Sequence, residues 1–365
     1  MADFDFDSEQ IQLRDSVRSF LYDRWGPRRV RESGEAFDRG LWSVLCELGL
    51  QTLLVPTPHA GAGLSLVDFV LVLEEFGRAL VPAAMTETVL ASEVIARHGS
   101  TEQQASWLPR IAAGERRLAF AHAEEGAGPG DGDISLEAGA TGQGWRLRGS
   151  KILVPCAGAA THFVVSARTQ GEPAGLYLCA ADAAGLSHRP HRGVDPGACL
   201  GALHFDGVPA EPLGNAAAAL TRLLETSSFA AAAQMVGVCS AALDIAVAYA
   251  KERVQFDRPV GAFQAVKHKC ADMLVALEGA RSAAYYAAWA LSEDEPDAPA
   301  IVSMAKAACG DACRQCCNDA LQVHGGVGFT WEFDIHLYLK RGKLLEYQFG
   351  DAAWHRERVA AAILD

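Results

Sequence analysis

The chain has 365 residues, 50% hydrophobic and 21% charged, enough for one large domain or two to three ordinary ones. Its net charge of −13, with lysine and arginine nowhere in runs, excludes a general nucleic-acid or anionic-membrane binder. The acidic start MADFDFDSEQ is not a signal peptide, and no stretch reads as long and charge-free enough to cross a bilayer, so a cytoplasmic protein is expected.

The first third reads as helices. Asp7 or Ser8 can cap a helix whose apolar stripe is Leu13, Val17, Phe20 and Leu21. LWSVLCELGLQTLLVP is a second apolar segment, closed by Pro56. After the loop PHAGAG, Ser65 or Asp68 caps a strongly apolar helix ending near Gly77. GAGLSL is no phosphate loop, because no GK[ST] follows it. A capped helix is expected over 101–113, with Gly114 as its stop.

The texture changes near Leu118. WRLRGSKILV, THFVVSART, GLYLCAA and ALHFDGVPAEPLG are short β-rich runs separated by Gly, Asp and Pro, a compact all-β module. Helices return from Ala216, with one long apolar helix over 223–253, then 263–291, an acidic loop, 298–323 and a terminal helix. The domain boundaries expected are therefore 1–117, 118–215 and 216–365: helical, β, helical.

The ten cysteines include a cluster, CGDACRQCC, in which Cys309, Cys313 and Cys316 share one helical face. No second CxxC pair and no histidine at ligand spacing accompanies them, so close packing rather than a metal site is expected.

Two stretches stand out. In YAKERVQFDRPVGAFQAVKHKCADML the long helix ends in cations, and Phe256, Asp257, Pro259 and Gly261 punctuate a loop before the next helix. Arg253 and Phe256 are thus presented together at a helix corner. In QVHGGVGF, Gly325 and Gly326 follow a helix; alone they read as a helix stop, though bare glycine also lets a ligand approach backbone amides.

ERVQFDRPVGAFQAVKHKCADM resembles the Arg-x-x-Phe-Gly-x-Pro-(Ile/Val)-x-x-(Phe/His)-Gln segment of the acyl-CoA dehydrogenase family, with Asp257 where glycine is usual. The N-terminal pattern ELGL, GLSL, LEEFGRAL, GSTEQ and WLPRIAAGE, and the segment Gln322 to Gly328, resemble the same family, so the likeness spans nearly the whole chain. It implies an α+β multidomain fold: an N-terminal helical domain, a middle β-barrel and a C-terminal four-helix bundle. It also implies FAD as cofactor, an acyl-CoA thioester as substrate and an electron-transfer flavoprotein as electron acceptor. By the same resemblance Arg253, Phe256, Gln322, Gly325 and Gly326 meet the ADP half of an FAD held mainly by a neighbouring subunit.

The chain departs from the family where the flavin ring and the base belong. The Thr-Glu-Pro-Gly-Ala-Gly-Ser-Asp motif, whose threonine meets the ring, is matched by a run starting Ala123-Glu124-Glu125-Gly126. The Trp-Ile-(Ser/Thr)-Asn run is matched by Leu153-Val154-Pro155-Cys156. Phe349 stands where many members carry the glutamate base, and Ser227 and Ser228 where others carry a glutamate and an arginine. Glu225, Glu346 and Asp351 are the remaining carboxylates that could serve. The selective loss implies the non-catalytic subunit of a heteromeric dehydrogenase paired with a catalytic sister chain, such as those acting on steroid side-chain thioesters, in a tetramer. The alternatives are a homo-oligomeric dehydrogenase with a relocated base, a flavin-free scaffold, and an oxidase on the same fold.

Overall fold

The structure, a computed structural model, describes residues 6–32, 38–142 and 144–364. In chain order the helices α1 (Ser8–Arg24), α2 (Pro27–Glu32), α3 (Arg39–Glu47), α4 (Leu66–Arg78), α5 (Ala84–His98) and α6 (Thr101–Ala112) come first. Seven strands follow: β1 (Leu118–Ala121), β2 (Glu137–Thr141), β3 (Gly144–Val154), β4 (His162–Ala167), β5 (Gly175–Ala180), β6 (Leu186–Pro190) and β7 (Gly201–Pro212). Then come α7 (Ala216–Glu252), the two-residue strands β8 (Val254–Gln255) and β9 (Arg258–Pro259), α8 (Gln264–Ser292), α9 (Ala298–His324), α10 (Ile335–Tyr347) and α11 (Ala352–Leu364). The chain forms two compact units, one from residues 1–34, 66–81 and 228–365, the other from 35–65 and 82–227.

The first unit is a helical bundle in which α4, though N-terminal in sequence, lies among the C-terminal helices. Nearly every residue of α4 is buried, Glu74 and Glu75 included. It meets α7 through two glycines. A Cβ on Gly77 would lie 2.0 Å from the Gln234 carbonyl oxygen, and one on Gly237 would lie 1.9 Å from that of Glu74. Only bare backbone allows so close a crossing. Buried Glu74 accepts from Arg281 Nη2 (2.9 Å) and Tyr285 Oη (2.7 Å) on α8, so its charge is paired. Glu75 accepts from Arg18 of α1 at 2.6 Å.

Helix α7 is longer than its sequence pattern predicts, because Asn215 caps an added alanine-rich turn: its Oδ1 accepts from Ala218 N at 3.4 Å. Contrary to the sequence-based expectation, α7 is long and apolar enough to cross a membrane, but 83% of its most apolar window is buried inside the protein. It is a core helix.

In the second unit the strand order is β1-β4-β5-β7-β3-β2, with β6 paired to β7. The expected β-barrel is not a continuously hydrogen-bonded one. Among the described residues β2 returns toward β4 through a single bridge, Glu137 with Arg168. Long β7 reaches β5 only with Glu211 and Pro212, and irregularities at Leu147/Arg148 and Lys151/Val154 bend β3. One apolar core, including Leu147, Phe163, Val165, Tyr177, Leu203 and Phe205, fills the interior.

Candidate functional site

The Arg253–Phe256 corner is a hairpin. Val254 pairs with Pro259 and Gln255 with Arg258, leaving Phe256 and Asp257 as its two-residue loop. Both carry positive φ, 55° and 61°, the twist of a type I′ turn. This gives a physical reason for glycine at the position of Asp257: φ > 0 is costly for most side chains, and aspartate is among those that tolerate it. Phe256 projects outward, 85% exposed, with an edge contact to Phe263 at 6.1 Å, and Arg253 is exposed beside it.

Helix α9 stops at His324, and Gly325 adopts φ 65°, ψ −147°, a backbone region essentially reserved for glycine. A Cβ on Gly325 or Gly326 would meet nothing within 4 Å, and Gln322 is exposed. The two segments belong to the same unit and are tied together, since Tyr249 of α7 stacks on His324 with ring centroids 4.3 Å apart. Burial lowers the pKa of His324, keeping the ring neutral in this stack.

In the other unit, Ala123 and Leu153 lie side by side. Ile152 N donates to the Ala123 carbonyl at 2.8 Å, and Leu153, at φ 53°, turns its side chain out to 42% exposure. Pro155 and Cys156 are buried. Directly beneath is a saturated polar network. Lys151 Nζ donates to Glu124 Oε1 (2.7 Å), Ser166 Oγ (2.9 Å) and the His122 carbonyl (2.9 Å). Burial alone would raise Glu124, but hydrogen bonds from Lys151, Ser135 and Leu136 outweigh it and bring the carboxyl down to about 2. Desolvation takes Lys151 down to about 8 and, with Lys151 nearby, His122 down to about 4.

Each position considered for the base has a defined setting. Phe349 carries φ 58°, a left-handed conformation that strains a bulky side chain, and its carbonyl accepts from His355 Nε2 at 3.0 Å. Lys306 Nζ donates to the neighbouring Glu346 (2.9 Å) and Gly350 (2.7 Å) carbonyls, fixing the loop from both sides. The buried Glu346 carboxylate accepts from Arg314 Nη2 at 2.7 Å and Lys343 Nζ at 2.9 Å. Asp351 caps α11, accepting from Trp354 N at 2.9 Å. Among the described residues Ser227 Oγ is buried without a hydrogen-bond partner, Ser228 is buried, and Glu225 is half-buried.

Residues 7–115 match the family model described as acyl-CoA dehydrogenase, N-terminal domain, and residues 216–364 that described as acyl-CoA dehydrogenase, C-terminal domain. The chain belongs to the acyl-CoA dehydrogenase family. It is 31% identical to acyl-CoA dehydrogenase IpdE2 of Mycobacterium tuberculosis over 91% of this chain and 90% of that protein. Among solved structures it is similar to the Tcur3481–Tcur3483 steroid ACAD, at 35% identity, 98% coverage of both chains and a TM-score of 0.91. It also resembles the ChsE4–ChsE5 complex of Mycobacterium tuberculosis, at 28% identity, 100% and 99% coverage and a TM-score of 0.91.

FAD, the cofactor expected from the sequence, is bound in a structure of PigA with the same fold at a TM-score of 0.90. The surface here fits its two halves unequally. Open space beside Gly325 and Gly326 and the exposed Arg253 cation suit a pyrophosphate. Ala123, Leu153 and Pro155 offer the isoalloxazine ring neither a side-chain donor nor an aromatic face. Among the described residues, no group of three or more His, Cys, Asp or Glu is placed to hold a metal ion. The cysteines of α9 (Cys309, Cys313, Cys316 and Cys317) are buried in the bundle core.

Sequence reasoning passed over Glu87. It lies in α5, buried, and accepts from Phe120 N of β1 at 2.9 Å. Desolvation, opposed by that hydrogen bond, pushes its carboxyl up to about 7.

Proposed function

We propose that this chain is the non-catalytic subunit of a heteromeric, FAD-dependent acyl-CoA dehydrogenase that desaturates acyl-CoA thioesters, steroid side-chain thioesters included, in the cytoplasm. The carrying observation is the split of the site. The groups suited to a neighbour's FAD, Arg253, Phe256, Gln322, Gly325 and Gly326, stand at the surface with room beside them. The positions suited to this chain's own flavin and base are Ala123, Leu153, Pro155, Phe349, Ser227 and Ser228, none of which can accept an α-proton at neutral pH. Of the other carboxylates, Glu346 is held by two cations and Asp351 by a helix cap, which ties both to structural work.

When bound, FAD supplies the hydride acceptor for the β-hydrogen. This chain's part is positional. Arg253 would neutralise the pyrophosphate while the amides of Gly325 and Gly326 approach it, and Phe256 would exclude water. The α-proton is left to a carboxylate of the sister chain. The assembly we favour is a tetramer of two chains of each kind, passing its electrons to an electron-transfer flavoprotein. The relatives that support this reading include the steroid ACAD and the ChsE4–ChsE5 complex noted above.

The test is anaerobic flavin bleaching by a panel of acyl-CoA thioesters, run on the chain alone and with its sister subunit. The lone chain should hold little FAD and bleach none; the complex should bleach, and Arg253→Ala in the complex should lower FAD retention. Full bleaching by the lone chain, abolished by Glu225→Gln, would overturn the reading.

A further inference from the structure

The β3–β7 ladder ends at the pair Val154 and Gly201. Two residues beyond that pair, one on each chain segment, stand Cys156 and Cys199. Both residues leave the ladder with positive φ, 47° and 56°, and their thiols interact, each being the first influence on the other's ionisation. The strand ends are tightly apposed here: a Cβ on Gly201 would lie 2.7 Å from the Ala157 Cβ. At the directly opposed pair Val154 and Gly201 the Cα atoms are roughly 4.5–5.5 Å apart, and the two cysteines stand two residues beyond it; a disulfide spans roughly 4.4–6.8 Å.

The two thiols are not equivalent. Cys156 is 1% exposed, whereas Cys199 is half-buried. The contact with Cys199, and burial after it, hold the Cys156 thiol protonated, whereas the same contact favours the Cys199 thiolate, so the accessible sulfur is also the one that ionises first. Other sulfur contacts, Cys313 with Cys317 at 4.0 Å and Cys239 with Cys313 and Cys316, are buried at both ends.

We propose that Cys156 and Cys199 form an oxidisable dithiol that hydroperoxides convert to a disulfide. The Cys199 thiolate attacks the peroxide, breaking the O–O bond and becoming a sulfenic acid while hydroxide takes up a proton as water. The Cys156 sulfur then attacks the Cys199 sulfur; the S–S bond forms, the S–O bond breaks, and a second water leaves. Two thiols thus lose two electrons and two protons, and one hydrogen peroxide becomes two waters. The cross-link ties residues 153–156 to the start of β7. It depends on the thiols alone and not on the flavin reading above.

The test treats the full chain with hydrogen peroxide, blocks remaining thiols under denaturing conditions, and maps peptides by mass spectrometry. Two of the ten thiols should disappear into one Cys156–Cys199 cross-linked peptide, restored by dithiothreitol. Cys156→Ser should stop the reaction at a sulfenic acid on Cys199, trapped by dimedone. Cys199→Ser, a change at a half-exposed site, should remove both cross-link and sulfenic acid while the thermal melt stays within a few degrees of the parent. Ten thiols surviving peroxide, or a cross-link confined to the cysteines of α9, overturns the proposal.

Discussion

The ring of Tyr249, near the end of α7, stacks on the imidazole of His324, the last residue of α9, at 4.3 Å and 24°. That contact joins the Arg253–Phe256 hairpin to the Gly325–Gly326 turn, although some seventy residues of chain separate them. Phe333 closes the cluster edge-on, with its centroid 5.8 Å from Tyr249. Tyr249→Ala should cost about 1–2 kcal/mol in urea unfolding and should lower FAD retention by the complex, with Tyr249→Phe close to the parent in both. Equal FAD retention by Tyr249→Ala would mean that the two segments act independently.

Asp257 occupies the second loop position of the hairpin at φ 61°. Asp257→Gly removes a Cβ from the left-handed region and should stabilise the protein by about 0.5–1 kcal/mol. The shift should appear as a raised urea midpoint with unchanged slope. A lowered midpoint would show that the aspartate side chain contributes more than its backbone strain costs.

These two cases mark how far the sequence could be read. Helix spans follow apolar periodicity closely: 263–291 is expected and Gln264–Ser292 is found. The local settings of Arg253 and Gly325, a corner after one helix and a stop after another, are also legible. Backbone sign is not. Nothing in QFDR marks Phe256 and Asp257 as a type I′ turn, because neither residue is the Asn or Gly that normally announces one. Helix α5 escaped notice because nearly all its faces are buried, Glu87 and Glu93 included, so it has no clean polar stripe. The proximity of Cys156 and Cys199 depends on strand register, which pairs residues far apart in sequence.

The Lys151–Glu124 pair is buried with all its partners in place. Lys151→Met leaves an unpaired carboxylate inside the protein and should cost about 3–5 kcal/mol. Combining it with Glu124→Gln should recover part of that loss, because the stranded charge is gone. Chemical denaturation of the two single variants and the double measures the coupling. Simple additivity would show that the ion pair carries no special weight.

Glu87 makes a pH prediction. Its folded-state pKa, about 7, lies above the ordinary value of 4.5, so the folded protein holds a proton that the unfolded chain releases between those values. Its contribution is favourable below pH 4.5 and declines as pH rises toward 7, amounting to about 3 kcal/mol across the window. Glu87→Gln should therefore raise stability at pH 8 relative to the parent and change it little at pH 4.5. Parallel stability curves for parent and variant from pH 4 to 8 would rule out a raised Glu87 pKa.

The crossing of α4 and α7 has a bearing on how such a chain can evolve. At Gly77 and Gly237 the contact is main chain against main chain, so neither helix holds a side chain there that could be trimmed to make room for one added methyl. In a saturation library scored by assembly with the sister subunit, positions 77 and 237 should reject nearly every substitution, while 123 and 153 should accept many. A gene copy relieved of its chemistry by a partner would then be free to drift at the reaction surface yet remain captive to two hydrogen atoms in its frame.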